Sequence, residues 1–225
     1  MQNGKKRTPK TASLKHERKY LALGCKYIIG VDEAGRGPWA GPVTAGAVCL
    51  PIQSDSVSKD LRGVRDSKQM TALQRTKLVE QIKTQALAYG IGSISAQEID
   101  NIGIIPATIK AMQNAILAAL EQADFEPDCL FIDDMLLPEM RQIAQVSLIE
   151  GDSRSLSIAA ASVLAKTWRD AYMMEMDVQY PEYGFARHKG YGTPEHLAAL
   201  KLHGPSPIHR MTYKPIRALS DEDDE

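Results

Sequence analysis

The sequence predicts an α/β domain: a mixed sheet flanked by helices, with a helical C-terminal segment. Three observations carry this expectation. Short apolar runs of strand length alternate with longer stretches of helical periodicity. The first two strand candidates are joined by a tight Gly-rich connection, which favours an antiparallel pair. No internal repeat divides the 225 residues, and the length suits one domain, or one domain with an appendage.

In chain order, residues 27–33 (Lys-Tyr-Ile-Ile-Gly-Val-Asp) read as a buried strand running into polar residues, and residues 43–50 as its neighbour. Residues 52–70 are polar and read as a loop. Thr71 is a candidate N-cap for an amphipathic helix over 71–88. Residues 89–95 form a third strand candidate. A helix follows over about 106–122, with Pro106 in its first turn. Residues 129–133 and 146–150 are short apolar runs of strand length, each ending in an acid. An Ala-rich helix is expected over 155–179, with Ile158, Val163 and Leu164 inward. Thr193 opens a short helix to 203, and a last one is expected near 214–220.

Hydrophobic residues make up 44% of the chain and charged residues 24%, which excludes global disorder, a collagen-like chain and a disulfide miniprotein. Cys25, Cys49 and Cys129 are odd in number and far apart, so reduced thiols and a cytoplasmic location are expected. No run of about 18 apolar residues offers a membrane span, and the basic N-terminus lacks the apolar stretch of a secretory signal. The net charge of -1 hides strong segregation. Residues 1–27 carry +7, 28–185 carry -8, 186–217 carry +5 and 218–225 carry -5. Residues 1–26 are therefore read as a basic flexible extension, either a nucleic-acid arm or a solubilising one. Residues 27–217 form the domain, with 186–217 as its helical part, and 218–225 are an acidic tail.

Three strand ends finish in carboxylates: Val31-Asp32-Glu33, Ile132-Asp133-Asp134, and Glu150-Gly151-Asp152. Gathered at one sheet edge, these acids repel and raise one another's pKa, and a divalent cation relieves that repulsion. Oxygen-only ligands suit Mg²⁺ or Mn²⁺. Successive strand residues point to opposite faces, so Asp32 and Glu33 share a site only if the strand ends or kinks there. Directly after them, Gly35-Arg36-Gly37 flanks an arginine with glycines, which lets backbone N–H groups approach a phosphate and the guanidinium fork onto it.

Gly30-Val31-Asp32-Glu33-Ala34-Gly35-Arg36-Gly37-Pro38 resembles the signature of type 2 ribonuclease H (ribonuclease HII). The resemblance continues in the family's order through Asp66-Ser67-Lys68, Ile99-Asp100, Ile132-Asp133, Gly151-Asp152, the Ile158–Ser162 run, Ala165-Lys166, Lys189-Gly190-Tyr191-Gly192 and Pro207-Ile208-His209-Arg210, covering roughly residues 27 to 215. It implies a ribonuclease H-like fold and a metal-binding, catalytic set of Asp32, Glu33, Asp133 and Asp152. It implies that Gly35, Arg36 and Gly37 grip the phosphate and 2′-hydroxyl of a ribonucleotide, that Tyr191 packs against the adjoining sugar, and that Lys166 contacts phosphate. The implied substrates are RNA/DNA hybrids and duplex DNA containing ribonucleotides, and the implied state is a monomer. Asp152 stands where type 3 enzymes carry Glu, and type 1 enzymes lack the Gly-Arg-Gly signature.

Two positions depart from the family pattern. Asp134 stands where glycine is usual, although the apolar run before it favours Asp133 as the ligand. Trp39 replaces a smaller or aliphatic residue, to pack or to lie near nucleic acid. Arg187, Lys189, Lys201 and Arg210 are read as phosphate contacts on the basic segment. His188, His196, His203 and His209 lie there too, read as solvent or hydrogen-bonding side chains rather than a metal site. Two rival readings remain: another carboxylate nuclease such as a resolvase or integrase, which cleavage of an all-DNA junction would support, and a binding scaffold, which metal-independent binding without cleavage would support.

Overall fold

Five segments of this computed structural model, which describes residues 12–222, form one sheet. They are β1 (Ile28–Ala34), β2 (Val43–Cys49), β3 (Ala88–Ile94), β4 (Cys129–Asp133) and β5 (Ala144–Leu148), in the order β3-β2-β1-β4-β5. The β1–β2 and β2–β3 pairs are antiparallel, while β1–β4 and β4–β5 are parallel. The mixed sheet expected from the tight opening connections is thus present, with β1 at its centre.

The helices in chain order are α1 (Lys15–Leu21), α2 (Val57–Asp60), α3 (Ala72–Gln85), α4 (Ala96–Ile102), α5 (Ile104–Leu120), α6 (Gly151–Arg154), α7 (Leu156–Gln179), α8 (Phe185–His188), α9 (Pro194–His203) and α10 (Lys214–Glu222). Thr71 starts α3 through a capping box: its hydroxyl accepts from the Gln74 N–H at 3.3 Å, and the Gln74 side chain accepts from the Thr71 N–H at 3.0 Å. Helix α5 buries Ala107, Ala111, Ala115 and Ala119 against one sheet face, and α7 covers the other. Both approach closely because the sheet has glycines beneath them. A Cβ at Gly92 would lie 2.1 Å from the Ala111 carbonyl oxygen, and one at Gly46 would lie 2.4 Å from that of Ala161.

Several local expectations are corrected. Residues 52–70 are not an unstructured loop. They hold α2 and a 3₁₀ turn (Ser67–Gln69), because Ile52, Val57, Leu61 and Val64 all bury into the core on the α7 side. Helix α4 was not expected; its N-cap Ser95 accepts from the Glu98 N–H, and Gly103 at φ +86° separates it from α5. The basic extension expected over 1–26 is folded in its second half, while residues 1–11 lie outside the described ones. Ala12 and Leu14 are buried, and α1 places the wholly buried Glu17 at the start of α7. There its Oε1 accepts from the Ser155 hydroxyl at 2.7 Å and the Ser157 N–H at 2.9 Å, where a carboxylate meets the positive helix end. Helix α10 carries the chain into the acidic tail as far as Glu222; residues 223–225 lie outside the described ones.

Candidate active site

The acids gather at the C-terminal end of β1 and β4. Val31 pairs with Ile132 across the parallel ladder, and both bury on the α5 side. Asp32 and Asp133, one residue on, therefore share the α7 side. Strand β1 continues in regular register through Glu33 and Ala34, so no kink turns Glu33 onto that face. Glu33 instead sits half-buried at the sheet end, where Arg36 reaches toward it at 3.4 Å. Asp152 is buried in α6, directly after Gly151, whose N–H donates to Asp133 Oδ1 at 2.7 Å. Asp134 is exposed and adopts φ +45°, the left-handed region that explains why glycine suits that position.

The electrostatics are those of crowded like charges. Burial holds Asp32 well above the usual carboxylate range, with repulsion from Glu33, Asp133 and Asp152 adding to it and the Ser162 hydroxyl opposing. Burial also raises Glu33, against the pull of Arg36, and raises Asp133, against the Gly151 N–H and Lys68. Asp152 is pushed up to about 6 by burial, with Asp66 and Asp133 adding repulsion.

Lys68 stands among these acids. Burial works to lower its pKa, but Asp32, Asp66, Asp152 and Glu33 outweigh it and raise the ammonium above its ordinary value. The sequence displayed Asp66-Ser67-Lys68 as a motif without a role; only folding brings the 3₁₀ turn to the acids. Ser67 and Ser162 form a buried hydroxyl pair 2.9 Å apart beneath Asp32.

The donor chemistry fits a hard divalent cation: oxygen ligands only, mutually repelling and partly desolvated. Among the described residues, no three Asp, Glu, His or Cys side chains converge tightly enough to chelate an ion as they stand. Asp133 is turned to the Gly151 N–H, Asp32 to the Glu33 N–H at 2.7 Å, and Glu33 toward Arg36.

The Gly35-Arg36-Gly37 loop leads out of β1, with Arg36 and Gly37 exposed. Gly35 takes φ +98°, and a Cβ there would strike Arg169 at 2.2 Å. Two fully buried arginines shape this turn from beneath. Arg210 donates to the carbonyls of Gly35 (2.6 Å), Arg36 (2.9 Å) and Gly41 (2.8 and 3.0 Å). Arg169 donates to the carbonyls of Ala40 (3.0 Å), Pro42 (2.9 Å) and Lys189 (3.0 Å). The phosphate contact expected of Arg210 is therefore corrected: its donors are spent internally. Arg187 is paired with Glu195, and Lys189 donates to the Ala186 carbonyl at 2.6 Å.

Tyr191 lies across from the loop, half exposed, 4.0 Å from where a Gly37 Cβ would sit. Lys166 stands 5.8 Å over its ring while bonding Asp170 at 2.7 Å, so its charge is shared with an acid. Trp39 packs, tilting against His196 at 5.5 Å and closing over Gly192. His188, His196 and His209 are buried rather than solvent-facing, and each is hydrogen-bonded.

A mixed sheet of this order, with carboxylates at its end beside an exposed Gly-Arg-Gly loop, defines a nuclease of ribonuclease H-like fold. Residues 29–216 match the family model described as Ribonuclease HII. Ribonuclease HII from Desulfitobacterium hafniense (strain DSM 10664 / DCB-2) is 47% identical over 210 residues, covering 93% of this chain and 77% of that protein. The Syntrophotalea carbinolica ribonuclease HII is 48% identical over 201 residues, covering 89% of this chain and 91% of that protein. The chain belongs to the ribonuclease HII family. Among solved structures, ribonuclease H2 from Pyrococcus horikoshii OT3 superposes with a TM-score of 0.73 at 25% identity, over 88% of this chain and 99% of that one. Bst-RNase HIII in complex with Mn²⁺ shares the fold at 16% identity, with a TM-score of 0.68 over 89% of this chain and 71% of that one.

Proposed function

We propose that this ribonuclease cuts the RNA strand of RNA/DNA hybrids and cuts on the 5′ side of single ribonucleotides embedded in duplex DNA. The observation that carries this reading is the placement of a desolvated acidic cluster beside a braced Gly-Arg-Gly loop, with a half-exposed tyrosine opposite. The catalytic unit is residues 27–217, with residues 12–21 packed onto it. In the reaction a water oxygen bonds to the scissile phosphorus and the bond to the 3′ oxygen breaks. That oxygen takes up a proton, leaving 3′-hydroxyl and 5′-phosphate ends.

Asp32, Glu33, Asp133 and Asp152 would hold Mg²⁺ or Mn²⁺. Bound divalent cations, two of them in this reading, supply water activation and charge neutralisation at the phosphate. Arg36 forks onto the phosphate, and the loop's backbone meets the 2′-hydroxyl, the group that separates RNA from DNA. Tyr191 packs against the neighbouring sugar, where an added 2′-hydroxyl would crowd the ring. Lys166 supports that ring and faces phosphate beside it. Lys68 offsets part of the acidic charge.

The test is one assay with three substrates: a DNA duplex with a single ribonucleotide, an RNA/DNA hybrid and an all-DNA duplex, each in Mg²⁺, Mn²⁺ or EDTA. Cleavage of the first two with metal, none in EDTA and none of all-DNA is expected. Cleavage of the all-DNA duplex would overturn the specificity reading.

A further inference from the structure

Tyr191 sits between two glycines, Gly190 at φ +81° and Gly192, so its own backbone does little to fix the ring. Its amide donates to the His188 carbonyl at 2.9 Å. Its carbonyl accepts from the Thr193 N–H at 2.9 Å and faces His196 Nδ1 at 3.0 Å. His196 Nε2 in turn faces His209 Nε2 at 2.9 Å, and His209 Nδ1 lies 2.8 Å from the Ser206 N–H.

These contacts admit one direction. A backbone N–H can only donate, so His209 Nδ1 is bare and its proton is on Nε2. That proton points at His196 Nε2, which must accept, so His196 carries its proton on Nδ1 and gives it to the Tyr191 carbonyl. A proton added to either ring would set N–H against N–H. Burial holds both rings at about 4, so the chain of bonds is intact at neutral pH. His188, stacked on His196 at 4.4 Å, is fixed likewise: its Nδ1 accepts from the Gly190 N–H at 3.2 Å and its Nε2 faces the Tyr183 carbonyl at 2.8 Å.

We infer that His196 and His209 are positioning residues for Tyr191, a neutral imidazole pair whose fixed polarity aims the tyrosine that selects the substrate sugar. The inference rests on the sugar-packing reading of Tyr191 proposed above. Neither histidine reaches substrate; each acts through the backbone of the Gly-Tyr-Gly turn.

The experiment is steady-state cleavage of a duplex with one embedded ribonucleotide by the wild type, Tyr191→Ala, His196→Leu, His196→Asn and the double variant Tyr191→Ala/His196→Leu. Loss of one such hydrogen bond should raise KM by roughly five- to tenfold in His196→Leu, with kcat little changed. His196→Asn, whose amide N–H stands near the imidazole Nδ1, should restore most of the loss. In the Tyr191→Ala background His196→Leu should add nothing. An equal KM rise in both backgrounds would show a role that does not pass through Tyr191 and overturn the inference. An unchanged KM in His196→Leu beside a raised one in Tyr191→Ala would sink the relay and leave the tyrosine reading standing. An unaffected Tyr191→Ala would remove both. If His196→Leu does not fold, ¹⁵N spectra of the wild-type histidines decide. Nδ1–H on His196 and Nε2–H on His209 are expected at neutral pH, and the opposite tautomers or a protonated pair would overturn the inference.

Discussion

The acidic end of the sheet and the helical C-terminal segment solve opposite electrostatic problems. At the sheet end, like charges are crowded and partly desolvated, and every shifted acid moves toward its neutral form. In the C-terminal segment, the fully buried Arg210 and the imidazoles of His188, His196 and His209 meet fixed backbone dipoles. Arg169, on the adjoining face of α7, does the same. In the first region the charges oppose one another, whereas the second is satisfied from within the protein. The two regions adjoin: the crowded acids lie at the sheet end from which the arginine-braced Gly-Arg-Gly loop departs.

The hardest test of the acidic end is Asp32→Asn. It should abolish cleavage in Mg²⁺ while leaving the melting temperature unchanged or higher, because the amide relieves repulsion at a buried site. Wild-type activity, or a clear drop in melting temperature, would break the contrast. The matching test of the other region is Arg210→Met, which leaves the carbonyls of Gly35 and Gly41 without this donor, while that of Arg36 keeps the Tyr213 hydroxyl. A loss on the order of 3 kcal/mol in urea unfolding is expected. A loss below about 1 kcal/mol would show that the turn holds itself.

Arg36→Ala should slow cleavage at an embedded ribonucleotide by about tenfold with little effect on stability, since the side chain is exposed and only loosely paired. Metal addition should separate the regions through pH. Asp152 titrates near 3.8 when free and at about 6 in the fold. Folding therefore takes up a proton between those values, and metal-free stability falls as pH rises from about 4 to about 6. The gain in melting temperature on adding Mg²⁺ should be larger at pH 8 than at pH 5, where protons compete for the same oxygens. Equal gains at both would place the ion elsewhere. The smallest effect expected is for Asp134→Gly: at φ +45° glycine is at ease, so stability should change by less than about 1 kcal/mol and cleavage only mildly. A loss as severe as that of Asp133→Asn would move the ligand assignment to Asp134.

Much of this protein is written locally. The strand-length apolar runs, the Thr71 cap, the Ala-rich α7 and the acids at strand ends follow from periodicity and short-range chemistry, which one sequence window contains. So does the Gly-Arg-Gly turn, because a positive φ at Gly35 demands a residue without a Cβ. What the sequence could not display are partners far apart in the chain. Arg210 is 175 residues from Gly35, and read alone it passes for a surface phosphate contact. Glu17 is 138 residues from Ser155, one acid in a basic stretch. Lys68 belongs to the acids only after a turn in an apparently polar segment docks its buried Leu61 and Val64. The sequence by itself determined which chemical groups exist and which elements carry them. The tertiary structure decided which charges are desolvated and which are satisfied, because desolvation and hydrogen-bond pairing are properties of packed neighbours, not of residue order.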